Sequence, residues 1–227
     1  SRPTLDVFYQ VPAPLLAAAP PSAARPVVVF VYGGAWGSGA KSNYALLARF
    51  FAARGAVVVV PDYSASAGAT AGQMAAEIAA ALRWTRQEVS RFGGNPDDVT
   101  VLAHSAGAHV AVMAMLGEGR EECVGRGVVA IVGMCGVYDV EHHFEYEAWR
   151  GIAEMSTMKP AMGGDVARFH EHSPIAIILA RANLAHHSMD APKHSNSLRA
   201  SPPRHQQQPL PSPPPPLHPR LAHHSMD

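Results

Sequence analysis

Apolar residues in this chain fall into short unbroken runs, separated by longer stretches in which they recur every three or four positions. The runs at 27–32, 56–60, 99–102 and 128–134 are rich in β-branched residues, and each reads as a strand. Residues 5–9 alternate and suit an edge strand. Residues 43–54 predict a helix with Tyr44, Leu47, Phe50 and Phe51 on one face and Gly55 as its stop. Residues 71–92 predict a longer helix. Its Met74, Ile78, Leu82, Thr85, Val89 and Phe92 step by three and four, so one stripe faces a sheet. Gly93-Gly94 ends that helix and Asn95-Pro96-Asp97 reads as a turn. A further helix is expected over 108–116. Strands alternating with helices predict an α/β domain with a mostly parallel sheet.

Two motifs lie at the carboxyl ends of predicted strands, where ligands gather in such sheets. The first is Ala103-His104-Ser105-Ala106-Gly107, a serine in a tight turn between strand and helix. That layout lifts a hydroxyl above a parallel sheet as a nucleophile, and small neighbours let the turn close. The plainer alternative is a serine that caps the helix. The second motif is Gly33-Gly34-Ala35-Trp36-Gly37-Ser38-Gly39. Glycines just past a central strand free the amides of Gly33 or Gly34 to hold an oxyanion together with that of Ala106. A phosphate loop is the rival, but Lys41-Ser42 is preceded by Ala40 rather than glycine. Trp36 either walls a substrate pocket or simply packs.

Composition narrows the function classes. The 227 residues are 48% apolar with a formal charge of zero, which suits one globular domain and gives no basic face for nucleic acid. No apolar run reaches the roughly 18 residues that cross a bilayer. Cys123 and Cys135 form no metal pattern and read as thiols, favouring a cytoplasmic or membrane-associated setting over a secreted one. No cofactor or metal is called for. His142-His143 and His170-x-His172 lack the accompanying ligands of a metal site.

The motifs resemble the α/β-hydrolase superfamily. Tyr32-Gly33-Gly34-Ala35-Trp36 is similar to the His-Gly-Gly-x-Trp oxyanion segment of its carboxylesterase branch, with tyrosine in place of histidine. Ala103-His104-Ser105-Ala106-Gly107-Ala108-His109 is similar to that branch's nucleophile elbow. Within the branch, the likeness is to prenylcysteine methylesterase-like and BD-FAE-type esterases, over roughly residues 4–178. Val57-Val58-Val59-Val60-Pro61-Asp62-Tyr63, Phe92-Gly93-Gly94-Asn95-Pro96-Asp97 and Gly136-Val137-Tyr138-Asp139 agree with it. The resemblance implies an α/β-hydrolase fold and a serine hydrolase acting on a small or lipid-like carboxylic ester through a Ser105 acyl-enzyme. A prenylcysteine methyl ester is one such substrate.

The resemblance also implies an aspartate and a histidine, in that order, beyond the next strands. Neither is assignable, because the likeness stops after Ser173-Pro174-Ile175. The hydrolase domain is therefore expected at 1–180, C-terminally truncated. A helical insertion is expected at about 139–172, where Phe144, Tyr146, Trp149, Met155, Met158 and Met162 either line an acyl pocket or pack the insertion down. Residues 175–180 start a strand or a helix. Residues 181–227 read as a disordered Pro- and His-rich tail. They hold ten of the 20 prolines and repeat Leu184-Ala185-His186-His187-Ser188-Met189-Asp190 at 221–227. A hydrolase-fold binding module without catalysis therefore stays open beside the esterase.

Overall fold

A computed structural model describes residues 4–10, 24–66, 68–117 and 124–189, with side chains as far as 183. The predicted runs form five strands: β1 (Leu5–Phe8), β2 (Arg25–Val31), β3 (Val57–Pro61), β4 (Gly94–His104) and β5 (Val128–Met134). They make one sheet in the order β1-β3-β2-β4-β5. Only β1 runs antiparallel, against β3; the other three pairings are parallel. This is the mostly parallel sheet flanked by helices expected for an α/β domain. All five residues of β3 are buried, as a strand covered on both faces should be.

The helices explain themselves residue by residue. The Thr70 hydroxyl accepts from the Gln73 amide and starts α2 (Ala71–Glu88). Met74, Ile78, Leu82 and Thr85 are buried as their spacing predicts. The helix then tightens into a 3₁₀ turn over Val89–Phe92, which Gly93 closes in the left-handed region at φ 78°. The helix expected at 43–54 is a 3₁₀ turn, Lys41–Tyr44, followed by α1 (Ala45–Ala52). Its buried residues are Ala48 and Ala52, while Phe50 is half exposed under the Arg54 guanidinium. Small residues let α1 lie close to β3, and Phe50 turns outward.

Other expectations are corrected. Asn95-Pro96-Asp97 lies inside β4, at its irregular start. The Asn95 side chain accepts from the Asp97 amide there, and the register against β2 slips between Arg25 and Val27. β5 carries an apolar run but stands at the end of the strand order, with Val129 at 61% exposure. The boundary expected at 180 falls inside α6 (Pro174–Met189), because 175–185 hold helix formers and no proline. The rest of the expected tail, 190–227, lies outside the described residues, as does Cys123. Cys135 is a free, exposed thiol. Among the described residues no helix is long and apolar enough to cross a membrane.

Residues 139–172 comprise α4 (Val140–Trp149), α5 (Met158–Ala161) and 3₁₀ turns at Ala153–Met155 and Val166–His172. Val140, Met158, Met162 and Phe169 are buried in the core with Phe144 packed against them, so these side chains anchor the segment. Tyr146, Trp149 and Met155 face solvent.

Candidate active site

β4 ends at His104 and α3 (Ala106–Leu116) begins two residues later, leaving Ser105 alone at the junction. Ser105 has φ 53° and ψ −127°, a conformation that L-residues rarely adopt. It occupies the N-cap position, yet its hydroxyl makes no capping hydrogen bond. The capping alternative is therefore not realised. The Ser105 amide donates to the Met134 carbonyl at 2.8 Å and ties the bend to the end of β5. Gly107 shows why the turn needs small residues. A Cβ there would stand 2.1 Å from the Tyr32 carbonyl oxygen, so α3 starts in direct contact with the end of β2.

The glycine loop meets the serine. A Cβ on Gly33 would lie 2.8 Å from Ser105 Cβ and 3.0 Å from His104 Nδ1. His104 thus faces this loop. No acceptor among the described residues takes the amides of Gly33 or Gly34. The Ala106 amide, first in α3, has no intrahelical partner by construction. Gly34, at φ 145°, gives its carbonyl to the amides of Gly37 and Ser38, both at 3.0 Å, which curls the loop back. Ala35 and Trp36 follow at φ 49° and 58°. All four non-glycine residues with positive φ among those described (Ala35, Trp36, Ser105 and Cys135) lie just past the carboxyl ends of β2, β4 and β5. Strain concentrated in one place is a common mark of a functional site.

Below the loop, Tyr32 is fully buried between the stacked rings of Tyr44 and Tyr63. Its hydroxyl donates to Asp62 Oδ1 at 2.8 Å, the carboxylate oxygen that also takes the Lys41 amide. The Tyr63 hydroxyl donates to the Tyr32 carbonyl at 2.6 Å. Burial pushes both phenols above their ordinary range, with the bond to Asp62 adding to the effect at Tyr32, so both stay neutral. Tyr32 supports the loop from beneath and does not enter the site.

Trp36 is buried at 5% exposure, and its indole Nε1 donates to His109 Nδ1 at 3.1 Å. His109 Nε2 lies 2.8 Å from the His172 carbonyl oxygen. Burial pushes His109 down to about 4. The Thr157 hydroxyl donates to the Ala35 carbonyl. The likeness to the nucleophile elbow runs through His109 without giving it a role, and Thr157 stands in no motif. The fourfold spacing from Ser105 to His109, one helical turn, was the available signal for the first. Nothing in the sequence marks the second.

His142 and His143 face Glu145 and Glu147 along α4, and His170 Nδ1 pairs with the Ala167 carbonyl. No carboxylate or imidazole hydrogen-bonds to the Ser105 hydroxyl among the described residues. Nor, among them, is any group of three or more His, Cys, Asp or Glu placed to hold a metal ion.

Comparison with known proteins is specific. The family model described as BD-FAE matches residues 16–187. A probable isoprenylcysteine alpha-carbonyl methylesterase of Oryza sativa subsp. japonica is 32% identical over 139 residues, 58% of this chain and 34% of its own length. Esterase LipC of Mycobacterium tuberculosis is 34% identical over 177 residues, 71% of this chain and 43% of its own. The chain therefore spans about a third of the first protein and under half of the second. Two solved structures share the fold. Propionate-bound esterase 2 of Thermogutta terrifontis has a TM-score of 0.55 at 22% identity, over 78% of this chain and 62% of that one. An inhibited esterase B from Lactobacillus rhamnosis has 0.59 at 20%, over 78% and 62%.

Proposed function

Because the chain belongs to the BD-FAE family of α/β-hydrolases, we propose that it is a carboxylesterase that uses Ser105 as its nucleophile. The observation that carries this reading is the pairing of an uncapped Ser105 hydroxyl, on a strained bend, with the Gly33-Gly34 loop packed against it. In the proposed reaction the Ser105 oxygen attacks the ester carbonyl and loses its proton to a base. The developing oxyanion takes hydrogen bonds from the amides of Gly33 or Gly34 and of Ala106. Each such donor is typically worth about 3 kcal/mol in the transition state. The alcohol leaves, and water then releases the acid from the acyl-serine.

For substrate we propose a carboxylic ester with an apolar acyl or thioether-bearing part, a prenylcysteine methyl ester being one form. The support is the likeness to plant isoprenylcysteine methylesterases. Trp36, the tryptophan of the oxyanion loop, would wall the pocket from the loop side.

The test is reaction with a fluorophosphonate probe, read by mass spectrometry. A single adduct on Ser105, absent from Ser105→Ala, is expected. A folded chain that takes no label would overturn the reading. That outcome would favour the second reading, a binding module on the same fold, which draws on the lack of any imidazole bonded to the Ser105 hydroxyl among the described residues.

A further inference from the structure

We propose that His109 is a positioning residue: its ring joins Trp36 to the His172 carbonyl and so holds the oxyanion loop in shape from the helix that carries Ser105. The catalytic consequence rests on the esterase reading above; the structural one rests on the hydrogen-bond chain alone.

The partners fix the chemistry of the ring. An indole N–H can only donate, and a carbonyl oxygen can only accept. His109 Nδ1 must therefore be the bare nitrogen that accepts from Trp36, and Nε2 must carry the hydrogen given to His172. Only the neutral tautomer protonated at Nε2 satisfies both. His109 has no exposed surface, so its ring nitrogens have these two partners rather than solvent. The two rings also meet edge to face, with centroids 5.4 Å apart at 84°.

The loop has reason to need this strut. Ala35 and Trp36 sit consecutively in the left-handed region, which side chains resist. A backbone so bent relaxes unless something holds its side chains. The indole is held at Nε1 by His109, and the Ala35 carbonyl is held by the Thr157 hydroxyl. Gly37 lies against the same threonine, since a Cβ there would be 3.1 Å from Thr157 Cγ2. Thr157 and His172 both belong to the segment after β5. The loop is thus clamped between α3 on one side and 157–172 on the other. A leucine or phenylalanine at 109 would fill the space but leave the buried indole N–H without its acceptor and the His172 carbonyl without its donor.

Amide hydrogen exchange of the full chain tests this without needing turnover. In His109→Leu, peptides spanning 33–39 and 166–172 should exchange about tenfold faster than in the unaltered chain, while β2 and β4 stay protected. Unchanged exchange at 33–39 would overturn the proposal. If His109→Leu does not fold, Trp36→Phe decides it, because it removes only the donor at the far end; the same faster exchange is expected, and its absence is equally fatal. A second arm reads a short-chain p-nitrophenyl ester. His109→Leu should lower kcat about tenfold or more with KM within about twofold, the pattern of a disturbed transition-state contact. Equal losses through KM alone would mark a mere packing role. The double variant with Trp36→Phe should be no slower than either single, as expected for two ends of one bond. An unaltered chain without turnover defeats the esterase reading, and the exchange arm then still decides the strut.

Discussion

Gly33 and Ser105 touch across the gap between the ends of β2 and β4: a methyl group on Gly33 would stand 2.8 Å from Ser105 Cβ. It would also meet the His104 carbonyl oxygen at 2.9 Å. Backbone cannot swing aside as a flexible side-chain end can, so loop and bend must separate. Gly33→Ala is expected to lower stability by about 1–3 kcal/mol. It should also slow fluorophosphonate labelling of Ser105 about a hundredfold, the scale of losing one oxyanion donor. Thermal melting and labelling rate, measured on one preparation, check both parts. A normal labelling rate would show that the loop does not shape the chemistry.

Ser105 itself stores strain rather than stability. Its φ of 53° disfavours any side chain, and its hydroxyl makes no cap. Ser105→Ala should therefore melt within about 2 °C of the unaltered chain, since it leaves the strain in place. Ser105→Gly removes the strained side chain and should gain about 1 kcal/mol. Both should abolish hydrolysis of p-nitrophenyl acetate. Persistent turnover in either would move the nucleophile elsewhere.

Acid should loosen the molecule through His109. Its ring is neutral in the fold and titrates near 4, whereas in the unfolded chain it titrates near 6.5. Unfolded chains therefore bind the proton first as pH falls. Full stability is present above pH 6.5 and declines down to about pH 4, by about 3 kcal/mol for this group. His172 is also pushed down by burial and acts in the same direction. Urea midpoints between pH 7 and 5 isolate the histidines, because most carboxylates stay charged there. His109→Leu should start lower at pH 7 and show a flatter decline. A decline as steep as that of the unaltered chain would assign it to other groups.

Much of this was readable from the residues. Unbroken valine runs announce β2 and β3, and the stripe from Met74 to Val89 announces α2, because burial imposes a period. The serine bend and glycine loop were visible as small residues placed just past strands. What escaped notice depends on size and distance. Ala48 and Ala52 seat α1, yet a search for large apolar side chains points to Phe50. The bonds that unite the site span 73 residues from Trp36 to His109 and 63 from His109 to His172, which no local pattern encodes. Strand position is likewise a property of the whole sheet, so the run in β5 does not reveal that it lies at an edge.

That edge has its own consequence. Val129, Ile131, Val132 and Met134 are 61%, 38%, 45% and 38% exposed, on both faces of β5. Nothing pairs with the outer side of β5 among the described residues. The strand carries neither a charged residue nor a proline to discourage a second strand from pairing there. Elsewhere, α6, which packs on α3, also exposes Ile178 and Leu179, at 46% and 56%. Apolar surface on an open edge favours association, so the chain should self-associate as its concentration rises. Val132→Lys places a charge where the side chain is already half in solvent. It should shift stability by no more than about 0.5 kcal/mol. Light scattering across a concentration series should show later onset of association for this variant than for the unaltered chain. An identical onset would mean that β5 is not the surface through which molecules meet.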